Sequence, residues 1–252
     1  MTDTIRIERD GRVLVVTMNR PDKRNALTHA MYAAMADAID GAQEDDGIRV
    51  VLLTGAGDAF TAGNDLVDFQ SNPPRGTDTP VARFLRAILN AEKPLMAAVG
   101  GVAVGVGTTM LLHCDIVVVS GNAMLQTPFA DLALVPEAGS SLLLPQVVGT
   151  ALASDMFLTG RRLSGEEAVK IGLASRFAPH AELETEARRI AHGIAAKAPE
   201  AVRLTKGLLR RNREETGARM AHESALFTER LKSPEFMEAA TAFMQKRPPN
   251  FG

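Results

Sequence analysis

The stretch Pro94-Leu-Met-Ala-Ala-Val-Gly-Gly-Val-Ala-Val-Gly-Val-Gly-Thr-Thr-Met-Leu-Leu-His-Cys-Asp-Ile-Val-Val-Val119 sets the architecture. It begins and ends on short uncharged runs, 95–99 and 116–119, without the polar alternation of a half-exposed strand. Such runs are strands buried on both faces. Between them, Gly100 to Gly107 supply a glycine-rich turn, and Gly105 to Leu112 has helical spacing. Strand, turn, helix and strand in succession predict an α/β fold with a largely parallel sheet covered by helices.

Working outward, the same alternation continues. Upstream, the runs from Ile5 to Glu8 and Arg12 to Met18, joined at Asp10-Gly11, predict a β-hairpin. A helix is expected over 26–42 with Thr28 as its N-cap, then a buried strand over 50–54. A loop through Gly55 and Gly57, a polar linker from Ser71 to Thr79 and an amphipathic helix over 81–91 lead back to Pro94. Downstream, from about Leu142, helical spacing dominates with little strand signal, ending in 235–245 and a proline-rich tail. No fixed-period repeat or low-complexity tract interrupts the pattern.

Composition narrows the function. The chain has 252 residues, enough for one core with a helical appendage or for two small domains. An apolar fraction of 46% and a charged fraction of 23% fit a soluble globular protein, with no membrane-crossing span and no membrane partner expected. Charges at Asp3, Arg6, Glu8 and Arg9 occupy the place of a secretory core, and 250–252 carry no peroxisomal tripeptide, so the expected location is cytoplasmic. The single cysteine, Cys114, lies in an apolar run and is expected to be a buried small hydrophobe. A net charge of −2 gives no indication of a nucleic-acid partner. The basic cluster Lys197, Arg203, Lys206, Arg210, Arg211 and Arg213 is expected to form a solvated helix face, with phosphate binding as the other reading.

Glu137 stands alone as a charge in the segment from Leu132 to Pro145. Desolvation among Leu134, Val135 and Leu142 would raise its pKa toward the range useful for proton transfer. The alternative is a glutamate opening a helix at Pro136-Glu137-Ala138 that runs to Val148. The segment from Phe60 to Asp65 and the turn from Gly100 to Gly107 both follow predicted strands. Their backbone N–H groups could hold a negatively charged oxygen, or the glycines could serve only close packing. His113 is expected to be a core histidine, and no histidine has metal-ligand spacing, so no metal is expected.

The order and spacing of several motifs carry a family resemblance. They are 19–27, from Asn19-Arg-Pro to Leu27; 60–66, ending Gly63-Asn-Asp-Leu66; Lys93-Pro94 before the glycine turn; Cys114-Asp-Ile116; 158–168; Gly172-Leu173; and 243–247. Together these resemble the enoyl-CoA hydratase/isomerase, or crotonase, superfamily across nearly the whole chain. The resemblance implies a spiral core of β-β-α turns over 1–195 and a helical oligomerisation region over 196–252. It also implies acyl-CoA thioester substrates, no cofactor beyond the coenzyme A of the substrate, and homotrimers that can pair. It places the thioester oxygen on the N–H groups of Ala62 and Val106. Arg24, Ala62, Gly63, Asn64, Asp65 and Leu66 would lie along coenzyme A, and Phe243 and Lys246 would reach the nucleotide of a neighbouring subunit. Lys246 as a plain surface charge is the other reading.

Departures from the hydratase pattern single out a subfamily. Hydratases of this superfamily use two glutamates, and here Thr109 and Phe129 stand in those places. Glu137 matches instead the single glutamate of the peroxisomal-type Δ3,Δ2-enoyl-CoA isomerases, which share the Gly63-Asn-Asp-Leu66 and Thr127-Pro-Phe129 patterns. Asp131 is either a second acid or a loop-capping aspartate. Three alternatives stay open: hydration or another crotonase-type reaction, covalent attack by Glu137, and acyl-CoA binding without turnover.

Overall fold

In the computed structural model, residues 4–71, 78–210 and 212–252 are described. The ten strands among them are β1 (Ile5–Asp10), β2 (Val13–Met18), β3 (Val50–Gly55), β4 (Ala59–Thr61), β5 (Leu95–Val99), β6 (Val102–Val104), β7 (Ile116–Ser120), β8 (Met124–Gln126), β9 (Leu163–Ser164) and β10 (Arg176–Ala178). They form a six-stranded sheet ordered β1-β2-β3-β5-β7-β10 and a four-stranded sheet ordered β4-β6-β8-β9. The β1–β2 hairpin is antiparallel, and every further neighbour in the large sheet is parallel.

The continuous apolar strands follow from burial of both faces of the large sheet. Val15, Leu52, Met96, Ala98 and Val118 point to one side, where Leu183, Ala187, Ala191 and Ala195 cover them. Val16, Val51, Leu53, Ala97, Val117 and Val119 point to the other, into the main core with Met31, Met35 and Ile39. Each fully buried aliphatic side chain contributes about 1.5–3 kcal/mol, so a polar residue on either face would be costly.

The helices are α1 (His29–Glu44), α2 (Leu66–Ser71), α3 (Pro80–Asn90), α4 (Val106–Thr109), α5 (Ser140–Val148), α6 (Thr150–Thr159), α7 (Gly165–Lys170), α8 (Leu183–Ala195), α9 (Pro199–Leu209), α10 (Arg213–Arg230) and α11 (Pro234–Gln245). The pairs β3/β4, β5/β6 and β7/β8 each place one strand in the large sheet and the next in the small one. Helix follows, giving the spiral of β-β-α turns that the family resemblance implied. Thr28 caps α1 as expected, its hydroxyl accepting from the Met31 N–H at 3.3 Å, so the helix begins at His29 rather than at Ala26. No helix among the described residues is long and apolar enough to cross a membrane.

Several expectations are corrected. Glu137 does not open a helix. Ala138 (φ 60°) and Gly139 (φ 71°) are left-handed, and α5 starts only at Ser140. The helix expected over 105–112 is four α residues followed by a 3-10 turn, Met110–His113. Residues 66–71 are helical, and residues 72–77 of the expected linker lie outside the described residues. The late region holds two short strands, β9 and β10.

The basic cluster is not wholly solvated. Lys206 is buried, with Nζ 2.8 Å from Asp115 Oδ2 and donating to the Lys93 carbonyl at 2.7 Å; Arg210 joins the same aspartate, and Arg211 lies outside the described residues. Burial pushes the Lys206 ammonium down to about 8. Cys114 packs half-buried against the core, and burial pushes its thiol up to about 12.

Candidate active site

The parallel pairing of β4 with β6 sets Thr61 opposite Ala103. Both strands leave the sheet at the same end, so three residues further on, Asn64 and Val106 come off side by side. Gly63 permits this approach, because a Cβ there would lie 2.8 Å from the Val104 carbonyl oxygen. Gly105 permits the turn into α4, with φ 57° and ψ −118°, a conformation closed to L side chains. As a result the N–H groups of Asn64 and Val106 have no acceptor among the described residues. Two such amides at the end of a sheet, one of them at a helix start, are suited to hold an oxyanion.

Ala62 is therefore not the open amide. Its N–H donates to the Arg24 carbonyl at 2.9 Å, and that of Gly63 donates to Thr61 Oγ1 at 3.1 Å. Buried Asn25 fixes this junction, its Nδ2 donating to the Ala56 and Ala59 carbonyls and its Oδ1 accepting from the Arg20 N–H. Arg20 also pairs with Asp65 at 3.0 Å and donates to the Ala26 carbonyl, tying the segment around Arg24 to the segment 62–66.

A cavity of about 660 Å³ runs past these amides. Arg24, Ala62, Gly63, Asn64, Asp65, Leu66, Val106, Glu137 and Phe243 all line it, so residues distant in sequence converge on one space. Lys246 does not line it and is the left-handed C-cap of α11. Phe243, Met244 and Arg247 border the cavity of their own chain, together with Phe227 of α10. Sequence reasoning missed Arg162, Arg247 and Phe227. Phe227 had only its aromatic character on α10 as a signal, whereas the two arginines stood inside the motifs 158–168 and 243–247 without being assigned to the site.

Glu137 is 9% exposed at the cavity floor. The Thr109 hydroxyl, at the last residue of α4, donates to its Oε1. Burial pushes its carboxyl up to about 7; the Thr109 hydrogen bond opposes this and the charge of Glu223 adds to it. Phe129 is buried, lines the same cavity and packs on Phe157 with ring centroids 6.1 Å apart. Asp131 lies in a 3-10 turn at the cavity edge with its side chain exposed. His113 is buried with Nε2 2.7 Å from the Ala138 carbonyl oxygen, and burial pushes its imidazole down to about 4.

An open amide pair beside one desolvated carboxylate in an apolar cavity, carried on a two-sheet β-β-α spiral, defines a protein suited to acidify and move a proton next to a carbonyl. The sequence agrees with that class: the enoyl-CoA hydratase/isomerase family pattern matches residues 8–252. The chain belongs to this family. It is 34% identical to the rat (Rattus norvegicus) enoyl-CoA delta isomerase 2 over 251 residues, covering 97% of this chain and 64% of that protein. Thus the chain spans just under two thirds of the rat relative. It is 36% identical to the 2,3-dehydroadipyl-CoA hydratase of Escherichia coli K12 over 247 residues, 97% of each chain. Among solved structures, an enoyl-CoA hydratase/isomerase from Pseudoalteromonas atlantica T6c superposes with a TM-score of 0.95 at 46% identity, covering 99% of this chain and 100% of that one. Pseudomonas aeruginosa OdaA superposes with a TM-score of 0.93 at 47% identity, covering 96% and 99%.

Proposed function

We propose that this protein shifts the double bond of a 3-enoyl-CoA to the 2-position. Glu137 takes a proton from C2, the electrons move into the thioester, and the dienolate oxygen is held by the N–H groups of Asn64 and Val106. The protonated Glu137 then returns the proton at C4. Each oxyanion donor of this kind contributes about 3–4 kcal/mol of transition-state stabilisation. Thr109 donates to Oε1, which leaves Oε2 to carry the proton.

The observation that carries this reading is that Glu137 has a hydroxyl, Thr109, as its buried partner and not a second carboxylate. Of the other acids along the cavity, Asp65 is paired with Arg20 and Asp131 is exposed at the edge. One base suffices for a proton moved between two carbons, whereas hydration needs an acid and an ordered water. Arg24 and the segment 62–66 would hold the coenzyme A of the substrate, and no other cofactor enters the reaction. The region 196–252 would serve association into a homotrimer or a dimer of trimers, which light scattering on the purified protein would test.

The experiment is a parallel assay with 3-hexenoyl-CoA and crotonyl-CoA. Conjugation without hydration, lost in Glu137→Gln, is expected; full turnover by that variant would end the proposal. Hydration of a 2-enoyl-CoA is the second reading, favoured by the Escherichia coli relative's name, and it requires Asp131 to act as the second acid. A trapped ester on Glu137 would point to covalent chemistry, and tight acyl-CoA binding without solvent exchange of the α-protons to a binding role.

A further inference from the structure

The turn that follows Glu137 is held at several of its polar backbone groups. The Ser140 N–H returns to the Glu137 carbonyl at 3.0 Å, and His113 Nε2 meets the Ala138 carbonyl. Two further amides go to a residue from a distant helix. Glu223, on α10 and 4% exposed, accepts the Gly139 N–H on Oε2 at 2.6 Å and the Ser141 N–H on Oε1 at 2.9 Å. Gly139 occupies the N-cap position of α5 and has no side chain to cap it, so Glu223 supplies the cap from outside. Without that clamp, two consecutive left-handed residues, one of them an alanine, would relax at a cost favouring other conformations.

We infer that Glu223 is a positioning residue for Glu137: from α10 it locks the turn that aims the Glu137 side chain into the cavity, and it stands as a second buried carboxylate behind that turn. This rests on the reading of Glu137 as the proton carrier. The groups facing Glu137 are few. Thr109 approaches from α4, Tyr32 from α1, His113 through the Ala138 carbonyl, and Glu223 from α10; Asp131 and Arg162 lie along the cavity wall. Glu223 is the one carboxylate among them that is both buried and bonded to the turn, and its charge raises the Glu137 carboxyl in the same sense as burial does.

The test is a titration that needs no substrate. Protein labelled with ¹³C at the glutamate Cδ is followed by NMR from pH 4 to 9, and the Glu137 signal is assigned by its loss in E137Q. In E223Q, which keeps the shape and removes the charge, the proton affinity of Glu137 is expected to fall roughly 3- to 30-fold. An unchanged midpoint in folded E223Q would overturn the inference. E223D covers the case in which E223Q does not fold. It keeps the charge on a shorter arm, so Glu137 is expected to titrate within threefold of the unmodified protein while kcat falls and KM holds. E223D with undiminished kcat, or with an ordinary carboxylate midpoint, would equally overturn it. Absence of isomerase turnover in the unmodified protein would remove the proton-transfer reading alone and leave the titration comparison standing.

Discussion

Tyr32, fully buried in α1, donates its hydroxyl hydrogen to Asn64 Oδ1 at 2.5 Å. The side chain of the residue that carries the open amide is thus anchored from the main core. Burial, with the Glu137 charge adding to it, pushes the Tyr32 phenol well up, so it stays a donor throughout the working pH range. Tyr32→Phe leaves Asn64 Oδ1 without its partner and is expected to cost about 1–3 kcal/mol of stability. Loss of amide alignment should lower kcat/KM roughly tenfold. Urea unfolding and steady-state kinetics measure both, and undiminished kcat/KM would show that the Asn25 and Arg20 contacts hold the loop by themselves.

Glu137 should make the protein less stable as pH rises. Its folded value of about 7 lies above its ordinary 4.5, so its favourable contribution is complete below 4.5 and is lost as pH climbs through 7. The whole loss is on the order of 3 kcal/mol. Glu137→Gln escapes it. The variant is expected to be more stable than the unmodified protein at pH 8 and similar to it near pH 4.5, by urea unfolding at both values. Parallel curves at the two values would contradict the desolvated carboxyl.

Thr109→Val removes the hydroxyl that favours the ionised form of Glu137. The acid limb of kcat/KM, expected near pH 7, should move upward, because an uncompensated buried carboxylate holds its proton more tightly. Activity lost at pH 7 should largely return at pH 9. A limb that stays in place would mean that Thr109 serves packing only.

Gly63→Ala forces a Cβ against the Val104 carbonyl at a position where φ is 88°. About 1–3 kcal/mol of strain is expected from the backbone conformation. The larger effect should be kinetic, about a hundredfold in kcat/KM, because the clash separates the two loops that carry the Asn64 and Val106 amides. A variant that lost stability but kept full turnover would place the oxyanion elsewhere.

Much of this organisation was legible in the chain. β3, β5 and β7 announced themselves because both faces of the large sheet are covered, which removes polar alternation from the sequence. Thr28 marked the start of α1 by its capping chemistry. What stayed hidden depended on partners far along the chain. The amide of Ala62 looks as available as that of Asn64 until Arg24 folds back to accept from it. Lys206 reads as one more basic residue on a helix until Asp115 meets it in the interior. The start of α5 was misplaced because the left-handed pair Ala138-Gly139 is stabilised by Glu223, a contact that no local pattern encodes. The strands β9 and β10 are too short to show a period.

The outer wall of the cavity, with Phe227 on α10 and Phe243 and Met244 on α11, has a consequence for how the protein is made. Glu137 leaves the ribosome roughly a hundred residues before Met244, an interval of about 5–20 s at ordinary synthesis rates. The spiral core can form in that interval with an apolar trough facing water and with the turn after Glu137 still lacking its cap. During those seconds the nascent chain offers a sticky surface to chaperones and to other nascent copies. Closure of the cavity and capping of the turn after Glu137 then arrive together, with the docking of the last two helices.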